Sequence, residues 1–307
     1  VLKFTRSSDI KMKKFYLTLN PHGGQQKGPK LLKQILPVFE AAKLDLYIIE
    51  TTFAGHASEL AHQLDFDGYD GMIVIGGDGT MHEVVNGMLT RPDKKQLPIG
   101  LIPGGTGNSF LHDLELINPV DAAKAIIEGN IRKIDVAEVK INHVTKYAFN
   151  IIGWGLVTDI GNNAEKWRWL GEARYTLLSI FEVMRYKPRT ASLILNDKKI
   201  IDDFTFVIAC NTMYTGKGMK MAPKAKLDDG LMDIVVVRHG PSRMKLLSML
   251  PQVYDGSHIN SPLLEYYQVS EFSLIPERDE ILNIDGEILG STPIHVKMIP
   301  AAFQVFS

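Results

Sequence analysis

A single cysteine, Cys210, stands in 307 residues, so the chain has neither an intrachain disulfide framework nor a cysteine cluster for zinc. It closes the apolar run 204–209, a setting that predicts a buried, inert thiol and suits a reducing compartment. No apolar run approaches the ~20 residues that span a bilayer. The first residues, with Lys3, Arg6, Asp9 and Lys11, lack the apolar core of a signal peptide. A cytoplasmic protein is therefore expected, with any membrane contact peripheral and no transmembrane segment. Charge of one sign is also lacking: the net charge of −1 removes a global attraction to nucleic acid. No internal repeat or low-complexity tract is visible. Partner choice must come from local sites, and a homodimer is compatible with this composition.

What the chain does have is apolar residues, 45% of the total, enough for a large core. Its length predicts two domains at roughly 150 residues each. Over 15–130, short apolar runs at 15–19, 46–50, 71–75 and 99–102 alternate with helical patterns at 29–42, 55–64, 82–89 and 120–128. That rhythm predicts an α/β domain with a parallel sheet covered on both faces. After Gly129-Asn130 the pattern becomes β-branched and aromatic. Runs at 133–141, 147–152, 191–195, 204–210, 231–237, 266–274, 280–284, 295–299 and 303–306 predict a β-sandwich. The expected division is 1–130 and 131–307, with a hinge near 129–133. One helical segment, 164–185, interrupts the β half and carries Trp167, Trp169, Tyr175 and Phe181 among Arg168, Arg174 and Arg185. A helix packed on the sandwich is the plainer interpretation; a lid over a cavity is the functional one.

Three glycine-rich turns each join a strand to a helix. Asn20-Pro21-His22-Gly23-Gly24 follows the first strand and lacks the Walker spacing. Gly76-Gly77-Asp78-Gly79-Thr80 follows the third, and Pro103-Gly104-Gly105-Thr106-Gly107-Asn108 the fourth. Glycines permit positive φ and close backbone approach, so N–H groups beside a helix start can surround an anion. Any one such turn is weak evidence, but successive strand ends of an open α/β sheet bring all three to one edge. A purely structural turn has no need of an acid at Asp78, whereas a carboxylate there can take a proton from an attacking hydroxyl or orient a metal-bound phosphate. The three together predict a nucleotide site.

At 76–87 and 103–108 the sequence resembles the catalytic domain of the diacylglycerol kinase, sphingosine kinase and ceramide kinase superfamily. The likeness runs through nearly the whole chain: Gly153-Trp154-Gly155-Leu156-Val157-Thr158-Asp159, Glu165-Lys166-Trp167-Arg168-Trp169-Leu170-Gly171, Lys226-Leu227-Asp228-Asp229-Gly230-Leu231 and Ile284-Asp285-Gly286-Glu287. The resemblance implies an NAD kinase or phosphofructokinase-like α/β domain, a β-sandwich domain, and ATP with Mg²⁺ in the cleft between them. It places Asn20, Pro21, His22, Thr51, Gly55 and His56 at the nucleotide. Gly77, Gly79, Thr80, Gly105, Thr106 and Gly107 would hold the phosphates, with Arg168 and Arg174 adding positive charge. Asp78 is the first candidate to deprotonate or orient the acceptor hydroxyl. Asp285, Gly286 and Glu287 would complete the site, Glu287 being a rival base. In isolation, Asp-Gly between strands reads as a type I′ hairpin turn. Asp229, with the carbonyls of Lys226 and Leu231, is implied as a structural magnesium site, a donor set that suits a hard cation.

The acceptor lies with the second domain. The resemblance implies a lipid tail beneath the aromatic helix, with Asp78, Trp154, Leu156, Asp159 and Tyr175 as substrate contacts and the lid working at a membrane surface. The wording is nearest sphingosine and ceramide kinases. Sphingosine kinases, however, carry a further acid where this chain has Gly161. The expected reaction is transfer of the γ-phosphate of Mg-ATP to a primary hydroxyl of sphingosine, dihydrosphingosine or ceramide, with diacylglycerol as the alternative acceptor. Remoter alternatives are an NAD kinase-like enzyme and a non-catalytic lipid-binding regulator.

Overall fold

The computed structural model describes residues 12–21, 23, 26–166, 174–216 and 218–307, with backbone alone for 164–166 and 174–177. The first half alternates strand and helix: β1 (Lys14–Leu19), α1 (Gly28–Ala41), β2 (Asp45–Glu50), α2 (His56–Gln63), β3 (Gly71–Gly76), α3 (Asp78–Leu89) and β4 (Ile99–Pro103). Then come α4 (Ser109–Asp113) and α5 (Pro119–Glu128). The strands pair in parallel in the order β2-β1-β3-β4. β3 and β4 are buried along their whole length, as central strands covered on both faces must be. Alternation sends Phe15, Leu17, Ile73 and Ile75 to one face with Ile35 and Phe39, and Tyr16, Met72 and Val74 to the other with Val84 and Val85. On that second face α2 and α3 cross so closely that a Cβ on Gly87 would lie 2.2 Å from the Ser58 carbonyl oxygen. Asn118 starts α5 by accepting from the Val120 N–H at 2.9 Å, and Gly129 ends it at φ 80°.

The second half contains β5 (Ile131–Ile141), β6 (Val144–Ala148), β7 (Ile151–Gly155), β8 (Arg189–Leu195), β9 (Lys198–Cys210) and β10 (Met232–Arg238). After them come β11 (Glu265–Val269), β12 (Glu271–Pro276), β13 (Ile281–Ile284), β14 (Glu287–Ser291) and β15 (Ile294–Phe306). Its pairing is antiparallel, and its core runs from Val139 and Trp154 through Phe204 to Phe272 and Val296. The run expected at 147–152 is two strands, because the backbone turns at 149–150 to meet the Asp285 carboxylate. Of the helix expected over 164–185, the described residues lie in α6 (Leu156–Lys166), which begins eight residues earlier, and α7 (Arg174–Arg185). Two short helices were not anticipated: α8 (Arg243–Met249), which packs on α7, and α9 (Gln252–Asp255), which packs on α8.

The runs 295–299 and 303–306 are one strand, β15, with a register shift between Ile299 and Phe303. Ala301 takes φ 51° there and donates its N–H to Asp135 Oδ1 at 2.7 Å. Beyond the bulge Val305 pairs in parallel with Ile99 of β4, so the last strand enters the first half and the sheet is continuous from one half to the other. That continuity sets the α/β strand ends opposite the β13–β14 turn. Cys210 is fully buried, and burial pushes its thiol well up.

Candidate active site

The carboxyl ends of β1, β3 and β4 release the three glycine turns to one side of a cavity of about 1520 Å³. This exceeds the ~300–1,000 Å³ usual for one small ligand, leaving room for two. At one end it is lined by Asn20, Thr51, Gly55, Gly77, Gly79, Thr80, Gly105, Thr106 and Gly107. The β3 and β4 turns touch through their backbones. A Cβ on Gly105 would lie 2.6 Å from Gly77 Cα, and one on Gly77 would lie 2.8 Å from Gly105 Cα. Asn108, at φ 50°, closes the second turn by accepting from the Gly105 N–H at 3.0 Å and donating to the Gly105 carbonyl at 3.1 Å. Two strand-end turns packed glycine against glycine form a cradle that side chains would fill, and that fits a phosphate chain.

Asp78 begins α3 between these turns. Its Oδ2 accepts from the Ser109 N–H at 2.9 Å and its Oδ1 from the Phe110 N–H at 3.3 Å. Each oxygen thus keeps a lone pair for a further partner. Burial raises the Asp78 carboxyl, the two N–H donors lower it, and the nearby Asp285 charge raises it again. A fixed carboxylate with spare acceptor capacity and raised proton affinity can receive a hydroxyl proton.

Asp285 is different, and its expected catalytic part is corrected here. Its Oδ1 accepts from the Asn150 and Ile151 N–H groups at 2.8 and 3.0 Å, and its Oδ2 from the Phe149 N–H at 3.1 Å and His82 Nδ1 at 2.8 Å. Four donors occupy both oxygens, leaving none for a reacting proton. Asp285 and Gly286 take φ 53° and 94° as the two residues of the β13–β14 turn, so the hairpin interpretation holds as well. The turn delivers Glu287 to α3: a Cβ on Gly79 would lie 2.8 Å from Glu287 Oε1. Among the described residues Glu287 has no hydrogen-bond or ion-pair partner, which leaves both its oxygens available.

Three residues that sequence reasoning missed support this end. Glu83 accepts from the Gly55 and Ala57 N–H groups at 2.9 and 3.1 Å, fastening residues 55–57 to α3. Asp113 accepts from the Met213 and Tyr214 N–H groups at 2.8 and 3.1 Å, and burial pushes it up to about 6. His82 holds Asp285. None of the three stands out in the sequence, whereas Asn108 of the quoted turn does, since Asn beside a glycine turn tolerates positive φ. Of the expected nucleotide residues, His56 stands behind the cavity, its ring stacked on Phe53 at 4.6 Å and its Nδ1 accepting from the Thr52 N–H. Pro21 does not line the cavity. His22 and Arg168 lie outside the described residues, as do the side chains of Arg174 and Tyr175.

The opposite end of the cavity is apolar, with Leu156, Ile160, Val183, Phe206, Met249 and Val253 in its walls. Of the residues expected at the substrate, Leu156 lines this end. Two other substrate expectations are corrected. Trp154 points into the sandwich core, 1% exposed and edge-on to Phe204 at 6.3 Å, because alternation along β7 turns it away from the cavity. Asp159 faces outward and accepts from Arg189 Nη2 at 3.0 and 2.9 Å, while Arg189 Nε pairs with Glu280 at 2.8 Å. Gly161 does line the cavity, and a Cβ there would lie 2.9 Å from the Asn283 amide nitrogen.

Asp229 sits on an exposed turn and its Oδ1 accepts from the Leu231 N–H at 3.1 Å; its neighbour Asp228 pairs with Arg132 at 3.1 Å. Among the described residues no three His, Cys, Asp or Glu side chains gather around a metal position. One carboxylate oxygen with the Lys226 and Leu231 carbonyls is still an all-oxygen set of the kind a hard cation takes.

Comparison with known proteins agrees with this geometry. Residues 14–139 match the diacylglycerol kinase catalytic domain, and residues 150–307 match the YegS C-terminal NAD kinase beta sandwich-like domain. The chain belongs to the diacylglycerol kinase catalytic-domain superfamily of lipid kinases. Its relatives include proteins of two names. Sphingosine kinase 2 of Arabidopsis thaliana is 31% identical, covering 90% of this chain and 69% of its own. Diacylglycerol kinase of Bacillus subtilis is 28% identical, covering 92% of each. A crystal structure from Bacillus anthracis str. Sterne, described there as a candidate diacylglycerol kinase, matches with a TM-score of 0.79 at 26% identity. It covers 96% of this chain and 97% of its own. An NAD kinase from Archaeoglobus fulgidus in complex with ATP shares the fold alone, with a TM-score of 0.51 at 13% identity over 95% of this chain and 93% of its own. As a member of this superfamily the chain is a lipid kinase, with an α/β domain followed by a β-sandwich domain. No described helix is long and apolar enough to cross a membrane.

Proposed function

We propose that this lipid kinase transfers the γ-phosphate of Mg-ATP to a primary hydroxyl of a long-chain lipid of the sphingoid type: sphingosine, dihydrosphingosine or ceramide. One observation carries the reading. The fixed, part-buried Asp78 carboxylate, with a lone pair left on each oxygen, stands where the glycine cradle meets the apolar cavity. In this mechanism Thr51 and Gly55 receive the nucleoside, while the turns of Gly77, Gly79, Thr80, Gly105, Thr106 and Gly107 hold the phosphates through backbone N–H groups. Arg168 and Arg174 add positive charge. Asp78 orients the lipid hydroxyl and accepts its proton as the oxygen–phosphorus bond forms and the bond to ADP breaks. Glu287 assists from the other wall of the cleft. Magnesium would supply neutralisation of phosphate charge, and the Asp229 carboxylate with the Lys226 and Leu231 carbonyls would hold a second, structural ion.

Leu156, Ile160, Val183 and Met249 take the lipid tail. Ile180, Phe181 and Met184 are each about half exposed on α7 beside Arg185, which supports contact with a membrane surface by an otherwise cytoplasmic protein. A second reading, diacylglycerol as acceptor, is favoured by the wall between Leu156 and Gly161. Its one acid, Asp159, is turned out to Arg189, so that wall offers no carboxylate to an ammonium headgroup. The test is transfer of label from γ-labelled ATP to sphingosine, dihydrosphingosine, ceramide, diacylglycerol and monoacylglycerol in micelles, with the Asp78→Asn variant alongside. Label on a sphingoid lipid supports the first reading and label on diacylglycerol alone the second. Near-normal turnover by Asp78→Asn would overturn the role given to Asp78.

A further inference from the structure

Among the side-chain links between the two halves of the cleft, one reaches the Asp285-Gly286 turn itself. His82, 6% exposed and one turn into α3 from Asp78, meets the buried Asp285 at 2.8 Å, a partner 203 residues away. We propose that His82 is a positioning residue that acts through Asp285 to hold Glu287 over the start of α3. The inference rests on the reading that Glu287 works at the reacting end of the cleft.

Asp285 is an acceptor, so the His82 Nδ1 that faces it carries the proton and donates. The other three donors to Asp285 are backbone N–H groups of residues 149–151, all in the second half of the chain. They fasten the Asp285-Gly286 turn to the end of β6 and the start of β7, but none ties it to α3. Among the described residues His82 makes the direct hydrogen bond from α3 to this turn, while Asn86, one turn further along α3, holds Tyr147 of β6 through both its amide atoms at 2.9 Å. Glu287 follows the turn directly, pairs through its backbone with Ile284, and has no side-chain partner among the described residues. Where its carboxylate lies relative to Gly79 is therefore set by where the turn sits. Catalytic groups displaced by about 1 Å typically lose ~100-fold in rate, so a small slip of this turn is enough to matter.

A bond that merely glued the halves together would lower stability without acting through Glu287, and a double-mutant cycle separates the two cases. His82→Leu removes the donor. His82→Asn keeps an amide nitrogen near the place of Nδ1. Each is combined with Glu287→Gln, and kcat, the KM for ATP and the thermal midpoint are measured for all. His82→Leu is expected to lower kcat roughly tenfold with the KM for ATP within about twofold. His82→Asn should recover most of that loss, and in the Glu287→Gln background His82→Leu should cost nothing further. Equal losses from His82→Leu in the two backgrounds, no recovery by Asn, or a change confined to the KM for ATP would each overturn the proposal. Parental kcat in Glu287→Gln by itself would overturn both the proposal and the reading beneath it, whereas equal losses would leave that reading intact. Should His82→Leu not fold, His82→Asn and His82→Gln carry the cycle. They place the amide one methylene apart, so only the one that reaches Asp285 Oδ2 should retain kcat, and equal kcat in the two would overturn the proposal.

Discussion

Gly105→Ala is the sharpest perturbation of the phosphate cradle. The added methyl would lie 2.6 Å from Gly77 Cα and 2.8 Å from Asn108 Oδ1, whereas ordinary contact begins at 3.4 Å. Backbone faces the new carbon on one side and the loop-closing amide on the other, so neither neighbour can swing away as a flexible side chain would. The two turns must separate by about 0.8 Å, and the Asn108 closure opens with them. Overpacking of this kind costs roughly 1–3 kcal/mol of stability. A shift approaching 1 Å in phosphate-holding groups costs on the order of 100-fold in transfer rate. The cradle should lose ATP before the cavity loses lipid, because the glycine turns come from the α/β strand ends whereas the apolar lining belongs to a core cluster of the second half. The assay is nucleotide binding by calorimetry, lipid binding by tryptophan fluorescence and turnover at saturating lipid, with thermal unfolding as the control. Parental ATP affinity and turnover would refute the claim that these glycines exist for the contact between the turns.

Two further predictions concern carboxylates outside the cradle. Asp159→Asn should leave the KM for the lipid acceptor within about twofold and cost on the order of 1 kcal/mol of stability, because Asp159 serves Arg189 outside the cavity; a large rise in that KM would show a direct contact with the headgroup. Asp233, fully buried on β10, accepts from the Tyr266 hydroxyl at 2.6 Å while its Oδ2 has no partner, and burial pushes its carboxyl up to about 6. The folded state therefore binds this proton more tightly than the unfolded state, and stability from Asp233 falls as pH rises from 3.8 to about 6. Asp233→Asn should flatten that part of the urea-midpoint profile measured between pH 4 and 7. Asp113, raised for the same reason, keeps a remainder of the slope. A variant profile parallel to the parent's would contradict the assignment.

The alternation of strand and helix through residue 128 was legible because each element carries its own period and punctuation, Gly129 included. The glycine turns and Asp78 were legible for a similar reason: backbone permissiveness and a lone acid are properties of the residues themselves. Legibility stopped where a side chain's direction depended on neighbours far along the chain. Trp154 and Asp159 sit in a telling motif, yet strand alternation turns one into the core and Arg189 draws the other outward. Glu83 and His82 look like ordinary helix residues until α2 and the β13–β14 turn arrive beside them. The strand β15 read as two runs because its bulge at Ala301 is stabilised by Asp135, from the other end of the domain.

By itself the sequence determined the chemistry on offer: three glycine turns at strand ends, a carboxylate among them, and a second half of β-branched and aromatic runs. Those follow from residue type and short-range period, which the chain carries wherever it folds. The tertiary structure decided which acids are free to act. Asp285 is saturated by four donors gathered from two halves of the chain, Asp159 is neutralised at the surface, and Asp78 and Glu287 are left with open lone pairs. A carboxylate's availability depends on how many donors reach it, and that number exists only once distant segments have packed.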